Sequence, residues 1–177
     1  MKKFCISLAL LSIITLTIIA GCNINQDSAK YLRIHIRANS NSQIDQQVKY
    51  SVKESIVAYL TPIVAGCNDL DSAINAVNDN KLELEKVADK VLKENGFDYK
   101  SSVVVRNELF PTRVYDGFTL KEGFYDALIV NLGNAQGDNW WCVVYPPLCF
   151  TGSKTPVRYK SKILEIIKEF ENKENNQ

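Results

Sequence analysis

Tyr31 to Arg37, YLRIHIR, alternates throughout: Leu32, Ile34 and Ile36 point one way, Arg33, His35 and Arg37 the other. A period of two predicts a strand with one buried face. Ala38-Asn39-Ser40-Asn41-Ser42 then supplies turn residues. Asn41 or Ser42 can cap a helix, with Asp45 in a first turn where the helix dipole favours a carboxylate. Val48, Val52, Ile56 and Leu60 recur at one helical spacing, which predicts an amphipathic helix ending near Leu60, where Thr61-Pro62 weakens it. Leu70, Ile74 and Val77 form a shorter helical stripe. Asn80 followed by Glu83 resembles a capping box. It opens a third helix through Leu84, Val87, Val91 and Leu92 to a stop at Asn95-Gly96.

Beyond Gly96 the period changes. Ser101–Leu109, Thr112–Leu120 and Gly123–Asn131 read as strands, separated by Phe110-Pro111 and Lys121-Glu122-Gly123, and Asp116-Gly117 offers a hairpin turn of its own. Trp141–Tyr145 is a further short strand. Ile163, Leu164, Ile167 and Phe170 give a last amphipathic helix over Lys160–Phe170. Helices and strands are segregated along the chain, which predicts an α+β fold in the order β-α-α-α-β-β-β-β-α, its mainly antiparallel sheet covered by helices.

The N-terminus changes the picture. Lys2 and Lys3 precede an apolar run from Phe4 to Ala20, the pattern of an export signal and a little short for a bilayer span. Ile19-Ala20-Gly21-Cys22 resembles a bacterial lipobox, which makes Cys22 a candidate for lipidation. An ordinary cleaved signal or an uncleaved anchor are the alternatives, and all three place residues 23 onward outside the cytoplasm. The organisation expected is a signal segment over 1–21, a polar tether over 22–30, one exported domain over 31–172 and a flexible tail over 173–177. Without the leader, 19 basic face 20 acidic side chains. That balance lacks the basic field that DNA or RNA binding requires.

Of five cysteines, Cys5 lies in the leader and Cys22 at its end. Cys142 and Cys149 flank Pro146-Pro147 as C-x6-C, not the C-x-x-C of a redox pair. Outside the cytoplasm a structural disulfide between them leads over two buried thiols, catalysis or a metal. No metal or cofactor is expected. Cys67 reads as a small buried hydrophobe or an exposed spare. His35 is the single histidine. With no nucleophile motif beside it, it reads as an exposed or hydrogen-bonded bystander, and the Arg33–His35–Arg37 stripe as a solvated strand face. Gly133-Asn-Ala-Gln-Gly137 lacks the Gly-Lys-Ser/Thr of a phosphate loop and reads as a turn. Acidic pairs such as Asp45 with Glu54 read as solvated charge. Trp140 and Trp141 must point to opposite faces of their strand, and an exposed one would suit a protein contact. A wall-binding or hydrolytic lipoprotein, with the tryptophans stacked on sugar, is the alternative.

Several segments carry a resemblance: LRIHIRANSNSQIDQQVK, NGFDY, FPTRVYDGFTLKEGFYDALIVNLGNAQGDNWWCVVYPPLCF and VRYKSKILEII. Across roughly residues 32–170 the chain resembles the stage II sporulation protein R family. The resemblance implies a signal made in the forespore and exported into the space between the forespore and mother-cell membranes. There it triggers a membrane-embedded aspartic protease of the mother cell, which removes the pro-sequence of sigma-E. No catalytic residue and no small-molecule substrate are implied. The pattern carries over to Arg37, Ala38, Asn39, Ser40, Asp45, Gln46 and Lys49. In the later block it reaches Pro111, Thr112, Arg113, Gly123, Tyr125, Ala127, Gly133, Gly137, Asn139, Trp140, Trp141, Cys142, Pro146, Pro147, Leu148, Cys149 and Phe150. Arg37, Asn39, Arg113, Asn139, Trp140 and Trp141 are the candidate receptor contacts. The lipobox-like leader departs from the family pattern; a lipid on Cys22 would tether the signal and raise its effective concentration at a facing receptor.

Overall fold

Residues 30–115 and 118–148 are described in a computed structural model of the chain. The leader with Cys22, the expected tether up to residue 29, Cys149, Phe150 and the helix expected over Lys160–Phe170 lie outside the described residues.

β1 (Leu32–Arg37) is the alternating strand. It passes through the polar turn into α1 (Gln43–Val64), where Ser42 is extended and its hydroxyl accepts from the Asp45 amide at 3.2 Å, as expected of the cap. The helix does not stop near Leu60; it continues through Pro62 to Val64. A proline inside a helix forfeits one backbone bond. Here Leu60 and Val64 are both buried in the core, so packing holds the last turn in place. α2 (Leu70–Asp79) opens on a reciprocal box between Asp69 and Ser72 that the sequence reading missed. The box expected at the start of α3 (Lys81–Glu94) does not form. The Asn80 amide instead donates to the Ala76 carbonyl and accepts from the Tyr59 hydroxyl, both at 2.8 Å. α3 closes at Asn95-Gly96, with Gly96 at φ 81.

The strands are β2 (Ser101–Phe110), β3 (Arg113–Tyr115), β4 (Phe118–Leu120), β5 (Gly123–Leu132) and β6 (Asn139–Tyr145). The strand expected over Thr112–Leu120 is instead the antiparallel pair β3–β4, with Tyr115 opposite Phe118; Asp116 and Gly117 lie outside the described residues. The main sheet has the order β2-β5-β1-β6. β2–β5 and β1–β6 are antiparallel and β1–β5 is parallel, which gives an α+β fold with a mostly antiparallel sheet.

One face of the sheet carries the helices. Leu32, Ile34, Ile36, Leu128 and Val130 pack there with Val52, Ile56, Leu84 and Leu92. Burying each such side chain contributes about 1.5–3 kcal/mol before chain entropy is counted. The opposite face is covered too. Tyr31, Phe110, Tyr125, Ile129 and Val143 cluster there with Leu120 and Tyr115 of the hairpin. This overturns one expectation: Arg33 and His35 are not on a solvated strand face, because both are fully buried beneath that second layer.

Candidate functional site

The topology sets a problem at the C-terminal end of β1. β5 and β6 lie on either side of β1, so residues 133–138 must cross over the chain where it leaves for α1. A crossing segment needs partners for its backbone polar groups. The Gly137 amide donates to the Ala38 carbonyl at 2.9 Å and the Gln136 amide to the Asn39 carbonyl at 3.1 Å. The Asn39 side-chain oxygen accepts from the Asn134 amide at 2.9 Å, and that of Asn41 from the Asp138 amide at 2.7 Å. Both glycines are required by the approach. A Cβ on Gly137 would stand 2.2 Å from the Ser40 carbonyl oxygen; one on Gly133, itself at φ 54, would stand 2.3 Å from the Asn39 side chain.

Asp45 anchors this clasp from below. Its carboxylate accepts from the Asn39 amide at 3.0 Å, the Ser40 hydroxyl at 2.5 Å and the Tyr99 hydroxyl at 2.6 Å. The expectation of solvated charge at Asp45 is therefore wrong: the residue is 4% exposed. Burial acts to raise its pKa, but hydrogen bonds from Ser40, Tyr99, Asn39 and Ser42 outweigh burial and hold it below the usual carboxylate range. Burial raises the Tyr99 phenol, and the neighbouring Asp45 carboxylate raises it further. One turn along α1, buried Lys49 donates to the Gln46 side chain at 2.6 Å and to the Asp138 carbonyl at 3.0 Å. Burial lowers the Lys49 pKa against the opposing charge of Asp138.

The second constellation is the buried face of β1. The Arg33 guanidinium lies 4.2 Å from the Phe110 ring centroid and 4.8 Å from that of Tyr125, and donates to the Tyr115 hydroxyl at 3.0 Å. His35 stacks on Trp141 at 4.7 Å between centroids and meets Phe110 edge-on. Its Nε2 stands 3.2 Å from Glu108, without the geometry of a hydrogen bond. Glu108 is already paired with Arg37 and accepts from Arg106. Burial pushes the His35 pKa down to about 4; Glu108 opposes that shift, and Arg37 and Arg106 reinforce it. Burial acts to raise Glu108, and the Arg106 bond with the surrounding positive charge brings it below its ordinary value. His35 is neutral at pH 7.

The candidate contacts separate by surroundings. Asn39 has both ends of its amide bonded inside the clasp. Arg37 and Asn139 pair across β1–β6, and Arg37 also holds Glu108. Trp140 packs toward the helices and Trp141 toward the second layer, each half-buried, so neither is the exposed anchor considered above. Arg113 is exposed, its guanidinium 5.6 Å from the Trp141 ring centroid. Cys142 is opposite Ile34 in the ladder and Trp141 is opposite His35, which places Cys142 and His35 on opposite faces of the sheet. Cys67 is a half-buried free thiol against the Ile63 carbonyl, its pKa raised by burial. Among the described residues there is no cluster suited to a metal ion, and no helix long and apolar enough to cross a membrane. The sequence reading missed Tyr99 and Asp138. The NGFDY segment that contains Tyr99 was its one trace.

A family model described as Stage II sporulation protein R matches residues 28–155. The chain is 33% identical over 119 residues to the Stage II sporulation protein R of Bacillus subtilis (strain 168), a match covering 67% of this chain and 53% of the relative. The chain thus spans about half the length of the curated relative it matches. No solved structure matches. The family match takes in β1, the clasp and the NWWC strand together, and the chain belongs to the stage II sporulation protein R family.

Proposed function

We propose that this protein is a sporulation signal that acts outside the cytoplasm that makes it. Exported from the forespore, it activates a membrane-embedded aspartic protease of the mother cell and so triggers processing of pro-sigma-E. Family membership over residues 28–155 carries this reading. The leader supports the export step, with Cys22 as the lipid attachment point that tethers the signal to the outer face of the forespore membrane. The protein has no catalytic step of its own. Binding favours the active conformation of the protease, and a ligand shifts such an equilibrium only by its differential affinity for the two states. The late cysteines act structurally: Cys142 is buried in β6, and a disulfide to Cys149 would pin the chain where it leaves that strand.

The experiment is co-expression of the full chain, or a version lacking residues 1–21, with the membrane protease and pro-sigma-E. Cleavage is expected only when the exported chain and the protease are both present. Cleavage that persists without the protease overturns the reading. Replacing Cys22 with Ala separates tethering from export: a tethered signal loses potency and remains exported.

A further inference from the structure

β2 is an edge strand, with β5 on one side. Along an antiparallel edge, alternate residues direct both N–H and C=O outward. Two observations fix which ones. The Gly133 amide bonds the Lys100 carbonyl at 2.9 Å, so even-numbered positions face β5. The Ser101 and Val103 amides donate outward, to Asp89 and Glu85 of α3 at 2.7 and 2.8 Å. α3 therefore shields the first part of the edge with two carboxylates. At Val105, Asn107 and Leu109 the outward amides meet no acceptor among the described residues. Pro111 ends the strand at the other side. The open window runs over residues 104–110, and its centre is Asn107.

We propose that this window pairs with the same window of a second copy, antiparallel about a twofold axis at Asn107, to form one continuous sheet across two chains. The register follows from the window: α3 blocks any pairing beyond residue 104, and Pro111 blocks its equivalent beyond residue 110. Centred there, Val105 faces Leu109 of the second copy and Asn107 faces itself, each exchanging backbone bonds. Arg106 then faces Glu108 of the second copy, and Glu108 faces Arg106, so both flanking pairs bring opposite charges together, which favours this register. Apolar surface lies where the pairing would cover it: Leu109 is 50% and its in-chain neighbour Phe124 61% exposed. A long edge strand with exposed apolar side chains invites such addition unless something blocks it. In this window the described residues supply no bulge or covering helix; its two charges, Arg106 and the half-buried Glu108, are already paired with each other within the chain. The pairing is a property of this chain alone and is independent of the protease reading.

Asn107→Cys in the full chain tests it, by mild oxidation under native conditions and a non-reducing gel. Self-facing hydrogen-bonded residues have Cα atoms about 5.5 Å apart, within the ~4.4–6.8 Å that a disulfide spans. Glu54→Cys, on a residue whose side chain is 76% exposed and off the edge, measures random collision, and the unmodified chain measures the native thiols. Asn107→Cys is expected to give a dimer band about tenfold above both, and adding Leu109→Lys to lower it about tenfold. Light scattering on the unmodified chain and on Asn107→Pro, which removes the outward amide together with the Asn107 side-chain bond to Asp126, supplies a readout without thiols: dimer against monomer. An Asn107→Cys yield no greater than that of Glu54→Cys overturns the proposal. So does a cross-linked product of some other mass, or a monomeric unmodified chain.

Discussion

Asp45 offers the sharpest test of the clasp. Its carboxylate is buried and takes three side-chain donors, from Asn39, Ser40 and Tyr99. A hydrogen bond to a charged group is worth about 1.5–3 kcal/mol, and a buried donor left unsatisfied costs about 1–3 kcal/mol. In Asp45→Ala the two hydroxyls can turn to other acceptors, whereas the Asn39 amide cannot; the expected loss is about 4 kcal/mol. Asp45→Asn keeps one oxygen for Asn39 and Ser40 and presents its amide to Tyr99, whose hydroxyl can accept. Only charge assistance is lost, about 2 kcal/mol. For a chain of this size 1 kcal/mol moves the melting point by roughly 2–4 °C, so Ala should melt about 8–16 °C lower and Asn about half of that. The acid limb gives a second readout. Since the folded pKa of Asp45 lies below its unfolded value of 3.8, its stabilisation is complete above that pH and lost as pH falls through the folded value. Both variants should flatten that limb. Thermal and urea melts over pH 2–7 measure all of this. An Ala variant within about 1 kcal/mol of the unmodified chain would refute the buried-anchor argument and return Asp45 to an ordinary first-turn carboxylate.

Three further outcomes are expected. Gly137→Ala places a methyl 2.2 Å from the Ser40 carbonyl oxygen and should cost about 2–4 kcal/mol, read by urea unfolding. His35, with a folded pKa near 4 against 6.5 unfolded, contributes stability that is complete above pH 6.5 and falls toward pH 4, by about 3 kcal/mol in all. His35→Phe, which keeps a ring on Trp141, should lose that slope; an unchanged profile between pH 4 and 6.5 would contradict neutral burial. Cys149→Ser should lower stability by about 2 kcal/mol under oxidising conditions and leave it unchanged with reductant present; no difference between the two conditions would count against the late disulfide.

The elements with an unbroken period were legible. β1, the three helices with the cap at Ser42 and the stop at Asn95-Gly96, and the strands after Gly96 follow from local pattern alone. Properties set by tertiary neighbours were not. Whether the second face of β1 meets water depends on a hairpin more than seventy residues away, so Arg33 and His35 looked solvated and are buried. Helix α1 passes Pro62 because the core holds Leu60 and Val64, a cause absent from the local pattern. The parallel pairing of β1 with β5 depends on the chain path. The capping boxes were misplaced for a simpler reason: Asn80 has a better partner in Tyr59, and the box at Asp69 closes with Ser72 where the usual pattern has Glu or Gln. Within the site, several of the pattern residues meet at the crossing, yet a motif match cannot tell a side chain that binds a receptor from one that satisfies a crossing loop.

That distinction changes what the pattern means for signalling. Asn39, Ser40, Asp45, Gln46 and Lys49 from one stretch, and Gly133 and Gly137 from another distant in sequence, converge on one crossing, where the polar side chains bond to one another or to the backbone. Their joint effect is to make one end of the sheet rigid. A rigid surface binds without the cost of ordering side chains and loops, so under the signalling role proposed above these residues would act through shape and not by direct contact. Arg113 stands apart: it is exposed at the hairpin, with the Trp141 ring as its neighbour. The two kinds of residue separate experimentally. Loss of Asn39 should lower thermal stability and signalling together, because both follow from the clasp. Loss of Arg113 should leave the melting point within a degree or two, since surface substitutions usually stay within about 0.5 kcal/mol, and lower signalling alone if the receptor reads that charge. An Arg113→Ala chain that signals normally would assign recognition to the shape of the clasp end and not to the exposed Arg113 guanidinium.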